Sequence, residues 1–185
     1  FQSDMDYVVV GSDEVFSLEV GVNMIMYGHA VPCGNIISYA ASFGQTDASA
    51  VKARNCERLI SSGLKSFKAL CVRDEASFNT VKELASLEAE INFDPVLLYG
   101  FESELKRIAG GKQTDKYLVV YAYDNNMNDE REVSLIKEYA AENNLKVVSA
   151  GYYHKWADIN LNINPLELLR VIKEAQAVAT DTFHG

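Results

Sequence analysis

The chain of 185 residues contains three cysteines, three histidines and one tryptophan. Cys33, Cys56 and Cys71 are widely spaced, odd in number and form no CxxC pair. That spacing argues against a zinc site and against a disulfide framework, and reads as three resting thiols in a reducing compartment. No metal is expected. Positive charge is scarce as well: 17 Lys and Arg stand against 26 Asp and Glu, for a net charge of −9. A nucleic-acid surface needs a basic patch, so nucleic acid is excluded as a partner, whereas a small anion held by local arginines is not. No apolar run approaches the roughly 18–20 residues of a membrane span. No secretory signal opens the chain. Neither a GxGxxG nor a Walker pattern is present, and no internal repeat or low-complexity tract appears.

What remains is ample core material, 48% hydrophobic against 23% charged residues, arranged as strands alternating with helices. Tyr7–Val10 is a β-branched run ending at Gly11, as a buried parallel strand should. Asn35–Ala40 is the next strand, and Asp47–Phe67 carries Val51, Cys56, Leu59, Ile60, Leu64 and Phe67 mostly on one helical face. Ala69–Val72 follows as a strand. Asp74 then caps a helix that buries Phe78, Val81 and Leu84. Ile91–Phe93 leads to Asp94-Pro95, where the proline ends regular pairing.

A polar stretch, 99–115, with Gly110-Gly111 near its end and a helical turn around Glu102–Ile108, reads as a linker. A second series then begins with strand Tyr117–Tyr121. A helix over Asp129–Asn143, burying Val133, Ile136, Tyr139 and Ala140, precedes strand Leu145–Ser149. Asn164-Pro165-Leu166-Glu167 has the composition of a capped helix start, for a helix running to Ala175 ahead of strand Ala177–Ala179. The expected architecture is α/β, with two doubly wound domains, 1–98 and 116–185, joined by the linker 99–115. The second is read as the start of a longer sheet, because a sheet normally continues beyond such a strand.

Four groups at expected strand ends carry candidate chemistry. Gly11-Ser12-Asp13-Glu14 is either a capped turn or an anion cradle. The small residues of Ser38-Tyr39-Ala40-Ala41-Ser42-Phe43-Gly44 allow close approach of a ligand or tight packing. Arg73, just before capped Asp74-Glu75, is either a bidentate clamp for a carboxylate or phosphate or one partner of a surface ion pair. In Thr180-Asp181-Thr182-Phe183-His184-Gly185, a histidine beside an acid and two hydroxyls is placed to move a proton near neutral pH. His29 and His154 lack such surroundings and read as surface residues. Trp156, near Tyr152 and Tyr153, reads as loop packing, with stacking on a sugar ring as the alternative.

Taken in order, these segments (Asp6 to Phe16, Ile37 to Gly44, Val72 to Glu75, Asp94 to Leu98 and Thr180 to Gly185) resemble the polysaccharide pyruvyl transferase family across nearly the whole chain. Glu14 and Phe16 stand where the family commonly has Gln and Trp. Family members usually carry a strand–helix unit with a Gly/Asn-rich turn before the first of these motifs and continue past the last, so both domains are expected to be incomplete here. The resemblance implies two Rossmann-like domains in a glycosyltransferase-B-like fold. It also implies transfer of a pyruvyl group from phosphoenolpyruvate to two hydroxyls of a saccharide, forming a ketal and releasing phosphate. Phosphoenolpyruvate is then donor substrate, and no cofactor is needed. His184 matches the family's terminal histidine, implicated in catalysis and donor binding. Arg73 matches its central arginine and becomes the candidate anion clamp. Ser12, Asp13, Ser42 and Asp181 complete the expected substrate-binding set. The setting implied is cytoplasmic synthesis of precursors for a bacterial cell envelope or exopolysaccharide. Two other readings fit the same fold class: a nucleotide-sugar glycosyltransferase and a non-catalytic saccharide-binding module. Fold alone does not separate them.

Overall fold

Val8–Gly11 (β1) runs parallel to Ile36–Tyr39 (β2), with Val8 opposite Ile36 and Gly11 opposite Tyr39. Cys71–Val72 (β3) pairs in parallel with Glu90–Ile91 (β4). Parallel bridges Ile37–Ala69 and Ala41–Val72 join the two pairs. Between them the Ser38 hydroxyl accepts from the Cys71 N–H at 2.8 Å and donates to the Cys71 carbonyl at 3.0 Å. A side chain thus supplies part of the ladder. In this computed structural model, which describes residues 5–108 and 115–185, the chain divides into two compact units, Phe1–Leu98 and Tyr99–Gly185.

The core of the first unit gathers Val10, Phe16, Leu18, Tyr27, Phe43, Val51, Ile60, Leu64, Val72 and Val81. Phe16 stacks on Tyr27 with ring centres 5.3 Å apart and lies 5.2 Å from Phe43. The single helix expected over Asp47–Phe67 is two, Ala48–Ala53 (α1) and Glu57–Leu64 (α2). Asn55 adopts a left-handed φ of 55°, which ends α1 and re-aims the chain. Asp74 caps Glu75–Ala85 (α3) by accepting the Ser77 N–H at 2.7 Å. Pro95 does end strand pairing, and it also opens a short helix, Pro95–Tyr99 (α4), with Asp94 accepting the Val96 N–H. β1 differs from expectation, because Val9 is 60% exposed: only one face of this strand is covered.

In the second unit, Tyr117–Tyr121 (β5), Lys146–Ala150 (β6), Ile159–Leu161 (β7) and Ala177–Thr180 (β8) form one parallel sheet ordered β7-β6-β5-β8. The stretch read as a linker carries helix Glu102–Arg107 (α5). The faces of the sheet bury different halves of the alternating strand residues. Leu118, Val120 and Val147 pack with Ala140 and Ile136 of Glu130–Glu142 (α6), while Tyr117, Val119 and Val148 pack with Val171 and Leu168 of Pro165–Glu174 (α7). Alternating burial on both faces is what a parallel sheet flanked by helices requires. Tyr139 of α6, expected in the core, is 48% exposed; Ala140 holds the inward position beside it. α7 begins with the full capping box, Asn164 accepting from Leu166 and Glu167 while Glu167 accepts from the Asn164 N–H.

α5 packs against α7, so this part of the expected linker belongs to the second unit. Gly110-Gly111 lie outside the described residues. Among the described residues no helix is long and apolar enough to cross a membrane.

Candidate functional site

The carboxyl ends of the strands collect the motif residues, one set in each unit. In the first, Gly11 has a φ of 140°, and a Cβ there would collide with the Tyr39 carbonyl. Glycine is therefore the residue that lets β1 end tight against β2 and send Ser12-Asp13-Glu14 across the edge. Phe16 N–H then donates to the Ser42 carbonyl and Ser42 N–H to the Asp13 carbonyl, knitting this turn to the end of β2.

Arg73 occupies the middle of that edge. Its side chain is 4% exposed, and its guanidinium lies 3.5 Å from Asp13, 3.7 Å from Glu14 and 3.7 Å from Asp94. The arginine expected as a candidate anion clamp is buried and faces three carboxylates, drawn from the ends of β1 and β4. Asp94 is buried to the same degree, whereas Asp13 and Glu14 remain largely accessible. Ser42, expected to line a cleft, is 2% exposed. Its hydroxyl donates to Asp74 at 2.7 Å and accepts the Gly44 N–H at 2.9 Å, while Ser77 Oγ accepts the Phe43 N–H. Ser42 thus couples the end of β2 to the cap of α3. Ser12 is half-buried and Asp13 exposed at the end of β1.

In the second unit the chain runs from β5 outward through β6 and β7, then returns to place β8 on the other side of β5. Such a reversal leaves a crevice outside the carboxyl ends of β5 and β8, the usual place for a ligand in an open α/β sheet. The β5–α6 loop supplies Asn126 to it and the chain after β8 supplies Asp181; the Asn126 amide donates to the Asp181 carboxylate. Thr180 Oγ1 accepts the Thr182 N–H at 3.1 Å and lies 3.0 Å from Thr182 Oγ1, so the terminal motif turns back on itself. His184 is exposed, with its ring edge-on to Phe183. A cavity of about 360 Å³ has Asn126, Asn128, Asp129, Glu132 and Asp181 on its wall. The first turn of α6 carries Glu130 and Glu132, which oppose the attraction of a helix N-terminus for anions.

The order of these motifs along the chain decides the family. The model for polysaccharide pyruvyl transferase matches residues 2–185. The chain belongs to that family. No curated protein and no solved structure gives a significant match. In this pyruvyl transferase family member the terminal Thr-Asp-Thr-Phe-His-Gly run and the Asn-rich β5–α6 loop meet at one sheet edge. Arg73, Asp13 and Ser42 meet at another.

Three contributors to these edges were not singled out in the sequence. Asn126 belongs to an Asp-Asn-Asn-Met-Asn run directly after the strongest strand, a composition that could have marked it. Asp124 accepts the Tyr153 N–H and ties the loop after β5 to the loop after β6. His154, read as a surface residue, is fully buried, because β6, β7 and the β5–α6 loop close over it. His29 is half-buried with Nε2 2.9 Å from the Leu59 carbonyl. Trp156 packs into the α6-side core and donates to Asn128. Beside it, Tyr152, Tyr153, Asp124 and Asn162 border an open groove of about 670 Å³. Among the described residues no group of three or more His, Cys, Asp or Glu is placed to hold a metal.

Proposed function

We propose that this protein transfers a pyruvyl group from phosphoenolpyruvate to two hydroxyls of a saccharide. The observation that carries the reading is the family match over residues 2–185, with an exposed histidine and an acid directly following β8 in the second unit. Each unit is proposed as a Rossmann-like domain of a glycosyltransferase-B-like pair. The setting is cytoplasmic, where phosphoenolpyruvate is made, with products destined for cell-envelope or exopolysaccharide synthesis.

The reaction begins with a proton delivered to the methylene carbon of the enol phosphate, leaving an oxocarbenium-like centre at C2. His184 is the proposed donor, since imidazole exchanges protons at neutral pH and this ring faces solvent at the strand end. One sugar hydroxyl adds to C2 and gives up its proton. The C2–O bond to phosphate then breaks, and a second hydroxyl closes the ketal. Of the two hydroxyl protons, one balances the proton now in the methyl group and the other leaves with phosphate.

The carboxylate and amide groups around Asp181 and Asn126 suit a polyhydroxyl acceptor better than a phosphate, given the acidic start of α6. The tyrosines of the neighbouring groove offer ring faces of the kind sugars stack on. Arg73, held by Asp13, Glu14 and Asp94, is proposed as the organiser of the first unit's edge, presenting Ser12 and Asp13, and Ser42 as its buried support.

The test is phosphate release from phosphoenolpyruvate with and without a glycan panel, with the glycan mass read in parallel. Sugar-dependent release with gain of a pyruvyl group supports the reading. Binding of a nucleotide sugar with no phosphoenolpyruvate turnover replaces it with glycosyl transfer.

A further inference from the structure

We infer that His154 is a positioning residue for the candidate site: its Nε2–H holds the Asn126 carbonyl and thereby sets where the Asn126 amide meets Asp181. The inference rests on the reading of Asp181 and His184 as the reacting edge.

His154 lies in the connection between β6 and β7 and is fully buried. Its backbone is gripped at two points by one side chain: Asn160 Oδ1 accepts the His154 N–H at 2.8 Å, and Asn160 Nδ2 donates to its carbonyl at 3.0 Å. The ring is anchored at one nitrogen and reaches outward with the other. Nδ1 lies 2.8 Å from Ser149 Oγ on β6, and Nε2 lies 3.2 Å from the backbone carbonyl of Asn126. The Trp156 ring stands edge-on to it at 5.6 Å and donates to Asn128, two residues further along the same loop.

Proton counting fixes the tautomer. A carbonyl only accepts, so Nε2 carries a proton. Ser149 Oγ also lies 2.7 Å from the Tyr152 carbonyl and has one proton to give. When it gives that proton to Nδ1 the ring is neutral; when it gives it to Tyr152, Nδ1 donates instead and the ring is charged. In either state the Nε2–H to Asn126 persists. A buried imidazole is a costly way to fill space that an apolar side chain would fill more cheaply. What it supplies here is one directed donor to an otherwise exposed loop. From Asn126 the connection continues to Asp181 and so to the turn that carries His184.

Two near-isosteres separate the two ring nitrogens. In His154→Gln the side-chain amide N–H reaches the place of Nε2–H; in His154→Asn the shorter amide reaches only the place of Nδ1. Amide hydrogen exchange is followed over residues 122–129 and 180–185, together with turnover of phosphoenolpyruvate and glycan. Expected is faster exchange in both segments in H154N, by roughly five- to tenfold for one lost buried hydrogen bond, with near wild-type protection in H154Q. Turnover falls roughly ten- to a hundredfold in H154N, as for a displaced reacting group, with KM little changed, and H154Q recovers most of it. Equal exchange in the two variants overturns the inference. Should neither variant fold, nitrogen-15 NMR of the wild-type ring decides: a protonated Nε2 supports the inference, and a bare Nε2 overturns it. Exchange that follows the expected pattern in a protein that never releases phosphate upholds the positioning and removes only the functional reading.

Discussion

The Arg73 guanidinium lies 3.7 Å from the Asp94 carboxylate, and the two side chains are buried alike, at 4% and 3% exposed. This pair sits beneath the more accessible contacts of Arg73 with Asp13 and Glu14, so it defines the buried part of the network. Removing one member of a buried ion pair strands the other charge. Arg73→Met is therefore expected to destabilise the first unit by about 3–5 kcal/mol, because three carboxylates lose their shared cation. Arg73→Met combined with Asp94→Leu should cost clearly less than the single change. Urea denaturation of the two variants checks this. An Arg73→Met protein as stable as wild type, yet unable to use phosphoenolpyruvate, would return Arg73 to the role of anion clamp.

Gly11 is held by its neighbour's backbone as well as by its own φ. Any Cβ at this position meets the Tyr39 carbonyl, which cannot swing away without breaking the β1–β2 register. Gly11→Ala is expected to lose at least about 2 kcal/mol, the cost of a strained backbone plus the clash. Gly21, also at positive φ but with nothing within 4 Å, is the internal control, and Gly21→Ala should cost less. Comparison of the two denaturation midpoints tests whether close approach, beyond φ alone, demands glycine at the end of β1.

Much of this architecture is legible in the sequence because the signals are local. Asp74 and Asn164 are cap residues with the right followers, and each caps a helix. Val-rich runs after turns become parallel strands. What escaped was long-range. β7 is three residues of Ile-Asn-Leu with no distinctive pattern, and only its place beside β6 makes it a strand. The helix break at Asn55 needs a left-handed residue that an amphipathic pattern does not reveal. His154 looks like a loop histidine among tyrosines until Ser149, Asn160 and Asn126 close around it. Arg73 shows the same limit: its charge invites an anion, and only the fold brings three carboxylates from two strand ends to it.

The Tyr27 phenol gives a stability signature in alkali. It donates to the Phe16 carbonyl at 2.6 Å inside the core. Burial, and secondarily the nearby Cys56, pushes it well above the ordinary phenol range. The folded state thus binds this proton more tightly than the unfolded chain does. The associated stability is complete below about pH 10, the unfolded value, and is lost as pH rises from there through the folded value. In that window wild type should lose up to about 1.4 kcal/mol per pH unit from this group. Tyr27→Phe removes that loss but leaves the Phe16 carbonyl without its donor, costing about 1–2 kcal/mol at neutral pH. Denaturation at a neutral pH and again about half a unit above the unfolded phenol value should show the variant's deficit shrinking with pH. A constant deficit would sink the argument.

His184 and Asp181 are separable by substitution because one is proposed to move a proton and the other to help hold the saccharide acceptor. His184 is exposed, so His184→Ala should leave the thermal midpoint unchanged while transfer falls roughly 10²–10⁴-fold, the range for losing a general acid. Asp181→Asn retains an oxygen that can accept from the Asn126 amide, so the loop contact survives while the charge is lost. Its expected effect is a smaller drop in kcat with the KM for phosphoenolpyruvate unchanged or lowered, since a nearby carboxylate repels an anionic donor. Steady-state kinetics on both variants, with glycan saturating, distinguishes the roles. If His184→Ala turns over at the wild-type rate, the proton must come from elsewhere, and the terminal motif is a binding turn rather than the seat of the chemistry.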